Sequence, residues 1–319
     1  MKIVAIIGGL GSQMFKYAFF YALKKRNAND VLLDTSYYMQ NKSWNGYELG
    51  KIFNIADQDI VEKLNSEQLE SIKNKSSDYL DVCLDFLNQF GPAAYYYMGK
   101  RILITRNRSH RSAKMRGLRT LRKKILMGEH LLGFDHHYQV NDLHRTENAY
   151  FDEYAINSDD LFANYKQDLK KIFQFPKFDA HNNKIANEMQ HSHSVAIHVR
   201  RSDHLTDNNK LIKNGYYKRA VSQIKLNTNE KQIFYVFSED ISWCENNLGK
   251  LGLSHEDKIV FVDWNKDENS YRDMQLMTYC QHHVIPISSF SWWGYYLSNR
   301  DNKIVCAPKG YWTDVAYHF

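Results

Sequence analysis

Short apolar runs of strand character alternate with helix-length amphipathic stretches along most of this chain, and that alternation restricts it to the α/β class. Lys2-Ile-Val-Ala-Ile-Ile7 has the pattern of a strand, Gly8-Gly-Leu-Gly-Ser-Gln13 that of a turn, Met14 to Lys25 that of a helix, and Asp30-Val-Leu-Leu-Asp34 that of a second strand. Apolar residues recur at helical spacing from about Gln58 to Asn88. A strand is expected at Asn148–Asp152, and a helix from about Ser158, its N-cap, to Phe173. After a linker at Gln174-Phe-Pro-Lys-Phe178 the period restarts. Strands are expected at Ser194–Val199, Gln232–Phe237, Lys258–Val262, His283–Ile287 and Lys303–Ala307. Helices are expected at Asn182–Gln190, Tyr216–Leu226, Ser242–Leu248, Ser270–Cys280 and Ser291–Ser298. Two Rossmann-like parallel-sheet domains follow, residues 1–176 and 177–319.

Composition agrees with an ordered chain of this size. Its 319 residues suffice for two buried cores, and 43% apolar residues with 4 prolines exclude a disordered chain or a small disulfide scaffold. The 4 cysteines, Cys83, Cys244, Cys280 and Cys306, are too far apart for metal-ligand spacing, so neither a structural metal nor a disulfide framework is expected. No stretch approaches the roughly eighteen apolar residues of a membrane span, and no signal region precedes the first strand. A soluble, cytoplasmic protein is expected. The 22 tyrosines and 17 phenylalanines suit sugar recognition as well as ordinary packing.

Charge is unevenly distributed. Between Lys100 and Lys124 there are eleven Lys/Arg and no acid, more than the whole-chain excess of +6, so the remainder is net acidic. This stretch is expected to be a basic helical insert, either a solvated face or a patch for an anionic membrane or a lipid-linked pyrophosphate. No nucleic-acid motif accompanies it.

Three segments carry residues suited to chemistry. The opening turn, with Gly9 and Gly11, lets backbone N–H groups approach a ligand, and Asp34 stands where a ribose-binding acid stands in a dinucleotide fold. Met14, however, occupies the place of that motif's third glycine. A tight turn without a ligand is the alternative. The second segment, His198-Val-Arg-Arg-Ser-Asp203, ends an apolar strand; Arg200 and Arg201 offer forks suited to phosphate oxygens, and Asp203 is within reach as a base, with Asp207 next. Such a cluster suits a diphosphate leaving group, although a strand-end salt bridge has the same composition. The third segment runs from Asp273 to Gly294. Ser288, Ser289 and Ser291 precede or open a helix whose amides can bind anionic oxygens, whereas Trp292 and Trp293 are expected to pack.

Together these segments resemble the α-1,2-fucosyltransferase family. Gly8-Gly-Leu-Gly-Ser-Gln-Met-Phe-Lys-Tyr-Ala18, His198–His204, Tyr216-Tyr217, Phe237-Ser-Glu-Asp-Ile-Ser-Trp-Cys244 and the stretch from Asp273 to Ser288-Ser-Phe-Ser-Trp-Trp-Gly294 match its motifs in order. The resemblance implies a GT-B-like fold, GDP-β-L-fucose as donor, no cofactor or metal, and inverting transfer to O2 of a galactose-type residue. It implies that Arg200 and Arg201 hold the donor phosphates, that His198 lies beside the donor and that Asp240 orders the pocket. It further implies that Asp273 recognises guanine and that Ser289, Phe290 and Ser291 close over the nucleotide. An N-terminal acceptor domain, a C-terminal donor domain and a β-galactoside or GalNAc-type oligosaccharide acceptor, lipid-linked at the inner membrane face, complete the expectation.

Departures fall at Ser12, Ser202, His204, Glu239, Ile287 and Asp152-Glu-Tyr-Ala-Ile-Asn157, and residues from about Lys42 to Arg145 match no family motif. Transfer in another linkage, transfer from another GDP-sugar, a non-catalytic GDP-sugar-binding protein and a nicotinamide-dependent oxidoreductase are the competing readings.

Overall fold

A computed structural model describes residues 1–27, 30–41, 44–91, 93–97, 100–103, 147–152, 159–201, 205–228, 230–312 and 314–319. The chain is α/β, with two Rossmann-like units, each one continuous stretch: Met1–Phe173 and Gln174–Phe319.

The first unit is built on a five-stranded sheet. Its strands are β1 (Lys2–Ala5), β2 (Val31–Asp34), β3 (Ala93–Tyr97), β4 (Lys100–Leu103) and β5 (Asn148–Phe151), in the order β2-β1-β5-β3-β4. Helix α1 (Leu10–Asn27) starts directly at the glycine turn, earlier than its apolar period alone suggests, and buries Met14, Ala18, Phe19 and Ala22 completely. Phe19 packs edge-on against Phe151 of β5, with ring centroids 5.2 Å apart. Helices α2 (Ser66–Lys73) and α3 (Tyr79–Leu87) follow, and Ile72, Leu80, Cys83 and Leu84 pack into one cluster with Ile3, Leu32 and Tyr150. The unit closes with α4 (Lys166–Ile172).

Two expectations are corrected here. Lys100–Leu103, placed in a basic helical insert, forms β4, and this strand runs antiparallel to β3, so the sheet is mixed rather than wholly parallel. The cause is arithmetic: β3 ends at Tyr97 and β4 begins at Lys100. Two intervening residues permit a hairpin but not a parallel crossover. The rest of the basic stretch, 104–124, lies outside the described residues, as does Ser158, the expected N-cap.

The second unit has six parallel strands: β6 (Ser194–Val199), β7 (Ile233–Ser238), β8 (Lys258–Val262), β9 (His282–Val284), β10 (Val305–Ala307) and β11 (Tyr317–His318). Their order is β11-β10-β9-β6-β7-β8. The chain builds outward from β6 through β7 to β8 and then returns to lay β9 on the other side of β6. The gap between β6 and β9 is therefore a topological switch point, where the loops leaving two neighbouring strands diverge and open a crevice at the carboxyl edge.

Every residue of β6 is buried, Ser194 and His198 included, as expected of a strand covered on both faces. Around the sheet lie α5 (Ala180–Gln190), α6 (Leu205–Lys213), α7 (Tyr216–Asn227), α8 (Ile241–Glu245), α9 (Leu248–Leu251), α10 (Tyr271–Met277) and α11 (Ser289–Leu297). The single helix expected at Ser242–Leu248 is thus two shorter ones. Helix α6 had no counterpart in the expected pattern. Trp292 and Trp293 are fully buried, and all four cysteines are free, buried thiols.

Candidate active site

The crevice at the switch point is walled by the ends of β6 and β9. Loop 285–288 leaves β9 and is fixed from beneath: the Tyr216 hydroxyl donates to the carbonyls of Ile285 (2.6 Å) and Cys306 (2.8 Å), and Trp312 Nε1 donates to that of Pro286 (2.9 Å). It delivers the chain to α11, whose N-cap is Ser288. The Ser288 side chain makes no capping bond to the first-turn amides, and its buried Oγ has no hydrogen-bond partner among the described residues. Those amides are therefore not consumed by their own cap. Ser289 and Phe290 are half-buried, and the Phe290 ring centroid lies 6.0 Å from that of His198 on β6. Ser291 is fully buried and donates to the Ser288 carbonyl at 3.3 Å, so its hydroxyl braces the helix start.

Arg200 and Arg201 follow β6 directly and are held differently. Tyr217, fully buried on α7, donates to the His198 carbonyl (3.1 Å) and accepts from the Arg200 amide, which fixes the strand end. Arg201 turns toward the end of β7. Its amide donates to Glu239, its Nε donates to Asp240 Oδ2 at 2.9 Å, and its guanidinium lies 4.2 Å from the Trp243 ring centroid. Asp240 also caps α8 by accepting from the Trp243 amide at 3.2 Å. Asp203, with Ser202 and His204, lies outside the described residues; Asp207 stands in the first turn of α6.

Asp273, on α10, belongs to the same carboxyl edge through the loop that leaves β8. Its Oδ1 accepts from Asn265 Nδ2 at 2.8 Å. Asn265 is bonded to Asn182 in both directions (3.0 and 3.2 Å), and Asn182 Oδ1 also accepts from Trp264 Nε1 at 3.0 Å. Burial, the largest influence, pushes the Asp273 carboxyl up to about 7, against the pull of Asn265 and Lys266. Largely desolvated yet held by one amide, it is suited to reading a donor edge such as a nucleobase N–H pair. Gly294 on α11 lies against α10: a Cβ there would stand 2.7 Å from Met277 Cβ, so only glycine allows this approach.

Trp243, Asn265 and Asn182 were not among the expected site residues. They act through Arg201 and Asp273, and their positions become meaningful only once the loops after β6, β7 and β8 are adjacent.

Gly9 and Gly11 belong to the first unit. Gly11 is buried inside the first turn of α1, Gly9 lies against the Trp44 side chain, and the Leu10 amide between them donates to the carboxylate of Glu48. Asp34, considered as a ribose acid or spare base, is 1% exposed. It accepts from the Ser36 amide (2.8 Å), from Ser36 Oγ and from the Tyr150 hydroxyl, and burial raises its carboxyl above the ordinary range. A carboxylate so enclosed meets no ribose, and the dinucleotide reading loses its acid.

Comparison with known proteins gives consistent relatives. A family profile, Glycosyl transferase family 11, matches residues 136–316, more than half of the chain. An alpha-1,2-colitosyltransferase of Escherichia coli is 25% identical over 311 residues, covering 96% of this chain and 90% of the relative. The O-antigen biosynthesis glycosyltransferase WbnK of Escherichia coli is 25% identical over 312 residues, covering 95% and 92%. A galactoside 2-alpha-L-fucosyltransferase of Bos taurus is 30% identical over 109 residues, covering 33% of this chain and 28% of the relative.

Proposed function

The chain belongs to glycosyl transferase family 11, and from that membership we propose that it transfers L-fucose from GDP-β-L-fucose, with inversion, to O2 of a terminal galactose-type residue. The setting is bacterial surface-polysaccharide synthesis, in keeping with an O-antigen transferase among its relatives. One observation carries the reading. The end of β6, with His198 and Arg200, the N-terminus of α11 and the Asp273 carboxylate share the carboxyl edge of one parallel sheet at its switch point.

In this reading Asp273 accepts from the guanine N–H groups, and the α11 amides and Arg200 meet the diphosphate. The bond from the fucose anomeric carbon to the diphosphate oxygen breaks as the acceptor O2 attacks from the opposite face. The electron pair goes to GDP, and the O2 proton goes to a carboxylate, for which Asp203 is the first candidate. Charge grows on the leaving diphosphate, so guanidinium and amide donors favour the transition state over the ground state. They provide the neutralisation that a divalent ion provides elsewhere, and no metal or cofactor is required.

The test is GDP release by the purified protein from GDP-fucose in EDTA, with and without β-galactoside and N-acetylgalactosaminide acceptors. Acceptor-dependent release that survives chelation, and is lost in Arg200→Ala, supports the reading. GDP binding without turnover on any acceptor would instead favour a sugar-nucleotide-binding protein. The colitosyltransferase relative motivates a second reading in which the donor sugar is colitose, which is fucose without its 3-hydroxyl. Turnover with GDP-colitose at a higher kcat/KM than with GDP-fucose selects it.

The basic residues between Lys100 and Lys124 fit attraction to anionic lipid or to a pyrophosphate-linked acceptor. Among the described residues no helix is long and apolar enough to cross a membrane, so contact of this kind would be peripheral. Salt-sensitive sedimentation with anionic vesicles checks it, and binding that is absent or indifferent to salt counts against it.

A further inference from the structure

We propose that Trp44 is the stacking platform for a pyranose ring of the acceptor, lying over the glycine turn of the first unit. The proposal deepens the transferase reading and rests on it. Among the described residues three large apolar side chains are strongly exposed: Trp44 at 56%, Phe90 at 52% and Leu226 at 81%. Phe90 and Leu226 lie shortly before β3 and β7, on the amino side of their sheets. Trp44 lies against the turn that leaves β1, on the carboxyl side, where open α/β sheets receive ligands.

The placement of the indole is specific. A Cβ on Gly9 would come within 3.3 Å of Trp44 Cδ1 and 3.5 Å of Cγ, so the ring lies close over the Gly9 backbone and a side chain there would push it outward by a few tenths of an ångström. Trp44 has φ +52°, a left-handed conformation that a bulky residue rarely adopts. The loop is nevertheless fixed from below. Gln13, fully buried on α1, donates to the carbonyls of Gly8 (2.9 Å) and Gly46 (2.8 Å) and accepts from the Glu48 amide (2.9 Å). Tyr38 adds a hydroxyl bond to the Gly8 carbonyl at 2.5 Å. The protein thus holds a large aromatic face toward solvent two residues before a backbone pinned at Gly46 and Glu48, an arrangement that limits the conformational freedom lost when a ligand binds.

The surroundings select a neutral ligand. The Leu10 amide at the mouth of α1, which would otherwise attract an anion, is satisfied by the Glu48 carboxylate, and Asn45 Nδ2 donates to Glu48 Oε1 at 3.2 Å. The negative face of an aromatic ring complements the weakly positive C–H face of a pyranose. Trp44 also falls in the stretch that matches no family motif, where acceptor preference can differ between enzymes sharing a donor.

The test compares wild type, Trp44→Ala and Trp44→Phe as full-length proteins, with lactose and N-acetyllactosamine as acceptor probes. Trp44→Ala is expected to raise the acceptor KM about tenfold, with Trp44→Phe restoring most of it. Donor KM and acceptor-independent GDP release should stay unchanged. An unchanged acceptor KM overturns the proposal, as does an equal loss toward donor and acceptor, which would make the indole only a prop for its loop. If wild type releases no GDP from any GDP-deoxyhexose, the transferase reading fails separately. The platform is then judged by acrylamide quenching of tryptophan fluorescence. Protection by methyl β-galactoside in wild type but not in Trp44→Phe supports it, and no protection by any saccharide probe overturns it.

Discussion

The guanidinium of Arg201 lies 4.2 Å from the ring centroid of Trp243 while its Nε is bonded to Asp240, so the two consecutive arginines after β6 are unequal. Arg201 ties the ends of β6 and β7 together, and in the proposed reading the diphosphate contact falls to Arg200. Lysine offers neither a planar face nor an Nε donor. Arg201→Lys should therefore raise the donor KM about tenfold with a modest change in kcat. Arg200→Ala should lower kcat by about 10²–10³. Trp243→Ala should reproduce the Arg201→Lys phenotype, and the double variant should be no worse than either alone. Steady-state kinetics on GDP-fucose checks all three, and equal kcat losses at both arginines would remove the distinction.

If Asp273 reads guanine as proposed, donor binding should be pH-dependent near neutrality. With its carboxyl pushed up to about 7, roughly half the ligand-free molecules carry it protonated at pH 7. A protonated carboxyl is a poorer acceptor for guanine, so the donor KM should fall as pH rises from 6 to 8 and then level off. Asp273→Asn should raise the donor KM and abolish this dependence. Stability runs the other way. A carboxyl raised in the folded state favours folding at low pH, and that contribution is lost as pH rises through about 7. The ligand-free Asp273→Asn protein should accordingly lose less thermal stability than wild type between pH 6 and 8, as calorimetry would record.

Gly294 sets the distance between α10 and α11, and with it the spacing of Asp273 and Phe290. Gly294→Ala places a methyl group 2.7 Å from Met277 Cβ and should cost about 1–3 kcal/mol of stability through overpacking. Donor KM should rise in parallel because both donor-facing elements move. Denaturant titration together with GDP calorimetry measures the two effects, and an unchanged midpoint would contradict the packing.

Gln13 supplies three hydrogen bonds to loop backbone from a fully buried position. Gln13→Leu should cost about 1–3 kcal/mol by leaving backbone groups of Gly46 and Glu48 without their partner. It should also weaken acceptor use more than donor use. Thermal melts and paired KM values for acceptor and donor distinguish this from general unfolding.

The alternation of apolar runs made the second unit the more legible half. Ser194–Val199 and Lys258–Val262 are strands with the bounds their patterns predict, the first buried along its whole length at the sheet centre and the second a half-exposed edge strand whose β-branched and aromatic residues still suit a pleated surface. The first unit was harder. Its hairpin β3–β4 joins a run of tyrosines to a basic segment whose charge suggested a surface helix, and pairing across the hairpin outweighed that impression. At the site, Arg200, His198 and Asp273 stood out by residue type, and their assembly follows from strand order, which one sequence does not display. Trp243 and Asn265 were invisible as site residues, since each works through a neighbour distant in sequence. Gln13 and Trp44 depend on a contact between the glycine turn and a loop more than thirty residues away. No periodic pattern announces such a contact.

Each sheet belongs to one uninterrupted stretch of chain, with a single junction at Phe173–Gln174. One recombination event at that point replaces an entire unit and cuts no strand of either sheet. If, as proposed, the first unit receives the acceptor and the second the donor, the two preferences can then be inherited separately. A lineage of such enzymes would diversify the glycans it builds by exchanging front halves while a common nucleotide-sugar supply continued to serve them all.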